Sequence, residues 1–291
     1  MLRKEHNAII HAHFVSSYGV ALSVLPERFD KVVSIWGSDI LLTPKINKFY
    51  YLLVKHALKK SHYQIANSDY LATRAREIVD LPYTTIPFGI DLNKFTFAKK
   101  NFNEKNKTTF QIFVAKRLHS VAGIDILLIA LAKVFKSLSD INIKLTIAGS
   151  GPEELKLKRL SQRLGISEYI EWLGWCSPIE IQTILEKTHI TIFPSRVEGL
   201  GVSIIEAMAS GVPVLASRAG GLLELIGSDQ QRGTFFELSS NALAIEIERA
   251  IINYDLISSK AIVARDYIES NYDIDKNADQ LLALYKQIQV K

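Results

Sequence analysis

At 291 residues the chain has room for two modest cores, its 48% hydrophobic and 22% charged composition is that of a folded globular protein, and its one cysteine, Cys176, excludes an internal disulfide. No apolar run approaches the roughly 18 to 20 residues that cross a bilayer, and the opening MLRKEHNAIIHAHF lacks the apolar stretch of a signal peptide, so a cytoplasmic protein, soluble or peripheral to the inner face of the membrane, is expected. The net charge of +5 divides into +6 over residues 1–100 and −1 over the rest, and no recognised nucleic-acid module accompanies it, so no nucleic-acid partner is expected.

From residue 8 to residue 87 short apolar runs alternate with helical patterns. AIIHAHF, VVSIW, YQIAN and TTIPF predict strands, and the segments around 17–26, 45–61 and 69–79 predict the helices between them. The helix at 45–61 carries Lys45, Lys48, Lys55, Lys59 and Lys60 beside Phe49, Tyr50, Tyr51, Leu52 and Leu53, a pattern shared by solvated amphipathic helices and helices that dock on anionic lipid headgroups. Between Phe88 and Thr109 the periodicity gives way to a polar stretch rich in lysine and asparagine, which suits a linker and sets domains at 1–105 and 106–291.

A second rhythm follows, with strands predicted at 110–116, 143–149, 169–174, 190–195 and 213–217 and helices near 122–137, 152–164, 178–187 and 202–210. The tail from about 240 to 289 reads as helices of the second domain. Together these predict an α/β protein of two lobes built on doubly wound parallel sheets, in which ligands bind beyond the carboxyl ends of the strands. The first lobe is short by this standard. Its opening strand begins within ten residues of Met1, which leaves no room for an earlier strand and glycine-rich turn, so an incomplete first lobe or a fragment of a longer protein is expected.

The densest segment is FPSRVEGLGVSIIEAMASGVPVLASRAGG, residues 193–221. A strand ends near Phe193, a turn with Glu198-Gly199-Leu200-Gly201 follows, and a helix starts near Val202. Glycines let a ligand approach the backbone, and free N–H groups with the helix dipole suit an anion such as a diphosphate. Glu198 precedes the helix and Glu206 lies about one turn inside it. Carboxylates accept paired hydrogen bonds from neighbouring hydroxyls, which suits a sugar for Glu198 and a ribose diol for Glu206, whereas a surface glutamate on an amphipathic helix is the plain alternative. The apolar neighbours Ile204, Ile205, Ala207 and Met208 weigh against that alternative, because a buried acid needs partners.

A glutamate, seven residues and a second glutamate, followed by Gly220, Gly221 and Glu224, resemble the signature of the family 4 glycosyltransferases of the GT-B fold. IPFGIDLNKF (86–95), AKRLHSVAGIDILLIAL (115–131), LTIAGSGPEEL (145–155) and YIEWLGW (169–175) resemble further segments of that family in the same order. The resemblance implies two Rossmann-like lobes facing across a cleft, the second holding a nucleotide-sugar and the first a glycan or lipid-linked acceptor, as in polysaccharide or lipopolysaccharide biosynthesis. It implies hexosyl transfer with retention of anomeric configuration, no cofactor and no metal. Carried over by position, Glu198 is the catalytic residue at the donor sugar, the backbone of Gly199, Leu200, Gly201 and Val202 holds sugar and phosphate, Glu206 holds the ribose and Arg117 faces the diphosphate. Asp39 and His13 are the acceptor-side candidates.

Two further positions depart from the family pattern. Ala122 stands where a lysine usually pairs with the arginine at the diphosphate; Lys116 is adjacent to Arg117, but strand alternation points neighbours to opposite faces and argues against substitution by it. Trp36 stands where a histidine usually precedes Gly-x-Asp, and an indole exchanges no protons; His11 and His13 are the nearby imidazoles. These departures keep a catalytically silent nucleotide-sugar-binding or scaffold protein open as an alternative. A dinucleotide-dependent oxidoreductase is disfavoured, because neither lobe has G-x-G-x-x-G after its first strand.

Overall fold

The alternating apolar and helical segments become two parallel sheets in the computed structural model, which describes residues 8–98, 102 and 109–290. The first sheet runs β1 (Ile9–His13), β2 (Asp30–Ile35), β3 (Tyr63–Ala66), β4 (Tyr83–Thr85) in spatial as well as chain order, every pair parallel. Its connections hold α1 (Val20–Ser23), α2 (Ser38–Leu41), α3 (Lys48–Lys60) and α4 (Asp69–Arg76). Asn47 starts α3 by accepting from the N–H groups of Phe49 and Tyr50, and Ser68 starts α4 by accepting from Leu71, so polar caps set where each helix begins.

The second sheet contains β5 (Phe110–Ala115), β6 (Ile143–Ala148), β7 (Ile170–Gly174), β8 (Ile190–Phe193), β9 (Val214–Ser217) and β10 (Thr234–Phe236), in the order β10-β9-β8-β5-β6-β7 and parallel throughout. Helices α5 (Ile124–Ser137), α6 (Glu154–Arg163), α7 (Pro178–Lys187), α8 (Val202–Ala209), α9 (Leu222–Ile226), α10 (Ser240–Ile252) and α11 (Tyr254–Asn271) belong to its connections and tail, and α12 (Ile274–Gln289) ends the chain. Residues of β8 and β9 are buried without exception, as expected of strands covered on both faces. Phe110, Ile112 and Val114 of β5 pack with Leu127, Leu131 and Val134 of α5 and Leu243, Ile247 and Ala250 of α10 in the main core. β8 stops at Phe193 rather than at residue 195, because Pro194 has no N–H to give the ladder.

Two compact units result: Met1–Gly89 with Glu198–Leu200 and Asn271–Lys291, and Ile90–Val197 with Gly201–Ser270. The helical tail was expected wholly within the second domain, and here its last helix departs from that expectation. Leu281, Leu284, Tyr285 and Ile288 of α12, spaced i, i+3, i+4 and i+7, cover Val32, Ile65 and Ile86 of the first sheet, which otherwise would face water. Part of the expected linker, residues 99–101 and 103–108, lies outside the described residues. Among those described, no helix is long and apolar enough to cross a membrane.

Candidate functional site

In the second unit the chain steps outward from β5 through β6 to β7, then returns to the other side of β5 for β8, β9 and β10. The carboxyl ends of β5 and β8 therefore flank the topological switch point, where doubly wound sheets bind ligands. Arg117, two residues past β5, is exposed, and its guanidinium has no hydrogen bond or ion pair among the described residues. Gly123 opens α5 at φ 72°, and a Cβ there would lie 1.8 Å from the carbonyl oxygen of Pro194, so only glycine lets this turn close on the end of β8. Arg196 fixes the same turn. Its guanidinium donates to both carboxylate oxygens of Asp125 (2.9 and 2.7 Å) and to the carbonyl of Ser120 (2.6 Å), and hydrogen bonding to it holds the Asp125 carboxyl below its ordinary range.

Gly201 begins α8 with no side-chain cap, which leaves the first N–H groups and the positive end of the helix dipole unopposed; Val202, the first helical residue, is exposed. Glu206 follows one turn inside. It is largely buried, its carboxylate has no hydrogen bond or ion pair among the described residues, and burial pushes its pKa up to about 7. An acid left desolvated without a partner is costly, and such groups concentrate at ligand sites.

Glu198, Gly199 and Leu200 cluster with the first unit, where the hydroxyl of Ser68 donates to the carbonyl of Gly199 at 2.9 Å. Asp39, expected on the acceptor side, is fully buried: its carboxylate accepts from the backbone N–H groups of Val15 (2.9 Å), Gly37 (2.8 Å) and Trp36 (3.2 Å). It anchors the turn after β2 instead of presenting an oxygen to a ligand, and burial raises its carboxyl pKa against the lowering effect of those bonds. His13 is exposed at the end of β1, its ring 4.1 Å from that of His11 and edge-on to Trp36 at 5.6 Å. Trp36 in turn meets Phe88 at 4.7 Å. His11 sits behind, between Tyr285 Oη (2.5 Å) and Ser34 Oγ (2.7 Å); burial first, and then His13, lower its pKa to about 4, and burial lowers that of His13.

Arg196, Asp125 and Ser68 were not singled out from the sequence. Their partners stand 71 or 131 residues away in the chain, and no local pattern marks them. Among the described residues no group of three or more His, Cys, Asp or Glu is placed to hold a metal ion.

Residues 95–267 match the family described as glycosyl transferases group 1, and residues 1–68 match the glycosyl transferase 4-like family. An uncharacterized glycosyltransferase of Methanocaldococcus jannaschii is 27% identical over 204 residues, 69% of this chain and 51% of that protein. A D-inositol 3-phosphate glycosyltransferase of Corynebacterium urealyticum is 28% identical over 213 residues, 69% of this chain and 50% of that protein. The chain thus spans about half the length of these curated relatives. Among solved structures, Anabaena HepE in complex with UDP-glucose superposes with a TM-score of 0.83 at 20% identity, covering 96% of this chain and 78% of that one, and so shares the two-lobed parallel-sheet fold of the GT-B kind. Matched along more than half of its length, the chain belongs to the glycosyl transferases group 1 family.

Proposed function

We propose that the chain moves a hexose from a nucleotide-sugar to a hydroxyl of a glycan or lipid-linked acceptor, with retention of anomeric configuration and without a metal ion, at the cytoplasmic face of a membrane. The observation that carries the donor half is Glu206. Its desolvated, unpartnered carboxylate lies one turn behind the uncapped start of α8, and a ribose diol supplies the two hydrogen bonds it lacks. A diphosphate then falls at the N–H groups of Gly201 and Val202 with Arg117 as counter-charge, which places fixed positive charge where the leaving group develops its own. Anabaena HepE, solved with UDP-glucose, supports a nucleotide-sugar as donor.

The resemblance assigns Glu198 to the donor sugar and the Gly199 and Leu200 backbone to sugar and phosphate. The leaving diphosphate takes the acceptor's proton, so the protein's part is positioning and charge stabilisation. A silent nucleotide-sugar-binding protein is the second reading, favoured by one observation: Trp36 occupies the turn anchored by Asp39 and has no group that exchanges a proton. Incubation with radiolabelled nucleotide-sugars, scored for transfer to membrane lipid or glycan extracts and for slow donor hydrolysis, separates the two. Product or hydrolysis above a buffer blank supports the transferase. Donor binding with neither would leave the silent reading standing.

A further inference from the structure

The first unit holds a cavity of its own. It opens beyond the carboxyl ends of β1 to β4, the side on which doubly wound sheets take ligands, and has a volume of about 210 Å³. That is far more than one water needs and less than the roughly 300 to 1,000 Å³ that drug-sized ligands occupy, so the space suits a single ring. Ile65, Phe88 and Leu281 supply apolar walls, and His11, His13, Ser34, Asn67 and Asn277 supply polar ones. None of the described residues that line it is Lys, Arg, Asp or Glu.

Most of these polar groups are already engaged. His11 bonds Tyr285 Oη and Ser34 Oγ through its two ring nitrogens, and Asn277 Nδ2 donates to the carbonyls of Pro87 (3.1 Å) and Asn271 (3.3 Å). Asn67 differs. Its backbone N–H donates to the carbonyl of Ile35 at 3.3 Å, which fixes the residue just past β3, but its side chain is buried with no hydrogen-bond partner for Nδ2. A buried amide donor left unpaired is costly, and one kept at the wall of a cavity this size calls for a ligand acceptor. Charge decides which kind. Burial lowers the pKa of both imidazoles, that of His11 to about 4, so near pH 7.5 the lining carries no formal charge. A phosphate or carboxylate brought here would give up water without meeting a cation, whereas a hydroxyl accepts from the Asn67 amide and the carbons of its ring suit the apolar walls.

We propose that this cavity holds a neutral, polyhydroxylated ring of the acceptor, with the Asn67 amide donating to one of its hydroxyls, and that the protein selects acceptors whose ring bears neither phosphate nor carboxylate. That the ring belongs to an acceptor rests on the transferase reading above; that the cavity binds such a ring does not.

The test is saturation-transfer NMR on the full chain at pH 7.5. The neutral rings are the methyl glycosides of glucose, galactose, mannose and N-acetylglucosamine, with inositol; the anionic ones are glucose 6-phosphate, glucuronate and inositol phosphate. At least one neutral ring should bind, and about 10-fold or more tightly than its anionic counterpart. Asn67→Leu, close in volume, should weaken that ring by about 5- to 10-fold, the loss of one neutral hydrogen bond. It should also melt no lower than the parent, because it removes a donor that has no partner in the fold. Four results overturn the proposal: no neutral ring bound, anionic rings bound as tightly, an affinity unchanged in Asn67→Leu, or a variant that melts lower or does not fold, which would give the amide a structural partner. Incubation of the bound ring with nucleotide-sugars separates the two readings. A ring held through Asn67 but never glycosylated keeps the cavity and overturns its acceptor role. A ring that is glycosylated with a KM unmoved by Asn67→Leu keeps the transferase and overturns the cavity.

Discussion

Arg196 grips both carboxylate oxygens of Asp125 while donating to the carbonyl of Ser120, so one side chain after β8 holds the whole turn between Arg117 and α5. Both partners are more than a third exposed, and the net worth of such a pair to global stability is under about 1 kcal/mol. Its effect is local. Asp125→Asn is expected to leave the melting temperature within a few degrees of the parent while amide exchange across residues 119–124 accelerates, measured by hydrogen–deuterium exchange. Unaltered protection there would mean that the Gly123–Pro194 packing holds the turn unaided.

Glu206 trades stability for binding. Its folded pKa of about 7 stands above the ordinary 4.5, so between those values the folded state binds more protons than the unfolded one and stability falls as pH rises. The loss is complete above pH 7 and amounts to about 3 to 4 kcal/mol. Glu206→Gln removes it: the variant should be more stable than the parent by about that amount at pH 8 and equal near pH 4. The same change should weaken nucleoside diphosphate binding by about 1 to 3 kcal/mol, because the diol loses a charged acceptor. Denaturant titrations at the two pH values and calorimetry check both halves; a variant that is destabilised at pH 8 would show that Glu206 has a partner in the folded protein.

His11 has the opposite sign. Its folded pKa of about 4 lies below the ordinary 6.5, so the folded state binds fewer protons in that window and stability is lost as pH falls through it, by about 3 to 4 kcal/mol in all. His11→Gln should flatten the acid side of the stability profile between pH 6.5 and 4, read by thermal melting. It should also cost stability at pH 8, since Tyr285 and Ser34 lose their shared partner. An acid limb of unchanged slope would place the titration elsewhere.

The strands and helices of both sheets were legible because each segment carries its period in its own residues. IKLTIAG alternates, and IDILLIALAKVF repeats every three to four residues. β10 escaped notice because Thr234–Phe236 is too short to show a period, and α12 was assigned to the wrong unit because its stripe says that it covers a face without saying whose. The same limit governs the site. Glu206 stood out as an acid among apolar neighbours, whereas Asp39 read as a ligand contact until its three backbone donors came into view.

Helix α3 exposes Phe49 (65%) and Leu52 (51%) between Lys48, Lys55 and Lys59, while Lys60 lies 3.3 Å from Glu27. If this face meets an anionic bilayer, flotation with phosphatidylserine vesicles should fall when Lys48, Lys55 and Lys59 are replaced by Ala, each having contributed about 1 kcal/mol. Raising salt should do the same, since screening acts over roughly 8 Å at physiological ionic strength. Phe49→Ala should weaken binding at every salt concentration. Failure of the parent protein to float at low salt would remove this surface from consideration.

Ala122 decides whether the turn before α5 has room for the lysine that the family resemblance implies at this position. It ends the turn Ser120–Ala122, is 4% exposed, belongs to the main core, and its N–H donates to the carbonyl of His119 at 2.9 Å. A lysine there must pass its stem through packed side chains before its ammonium reaches water or phosphate, and overpacking of this kind costs about 1 to 3 kcal/mol. Ala122→Lys is therefore expected to lower the melting temperature by several degrees. If the stem clears those side chains, the added ammonium stands near Arg117 and nucleoside diphosphate affinity should rise by about 10-fold, one charge-assisted contact. Melting curves and calorimetry on the parent protein and Ala122→Lys check both halves. An unchanged melting temperature would show that the turn has room at position 122, and an unchanged affinity in the folded variant would show that position 122 does not face the phosphates.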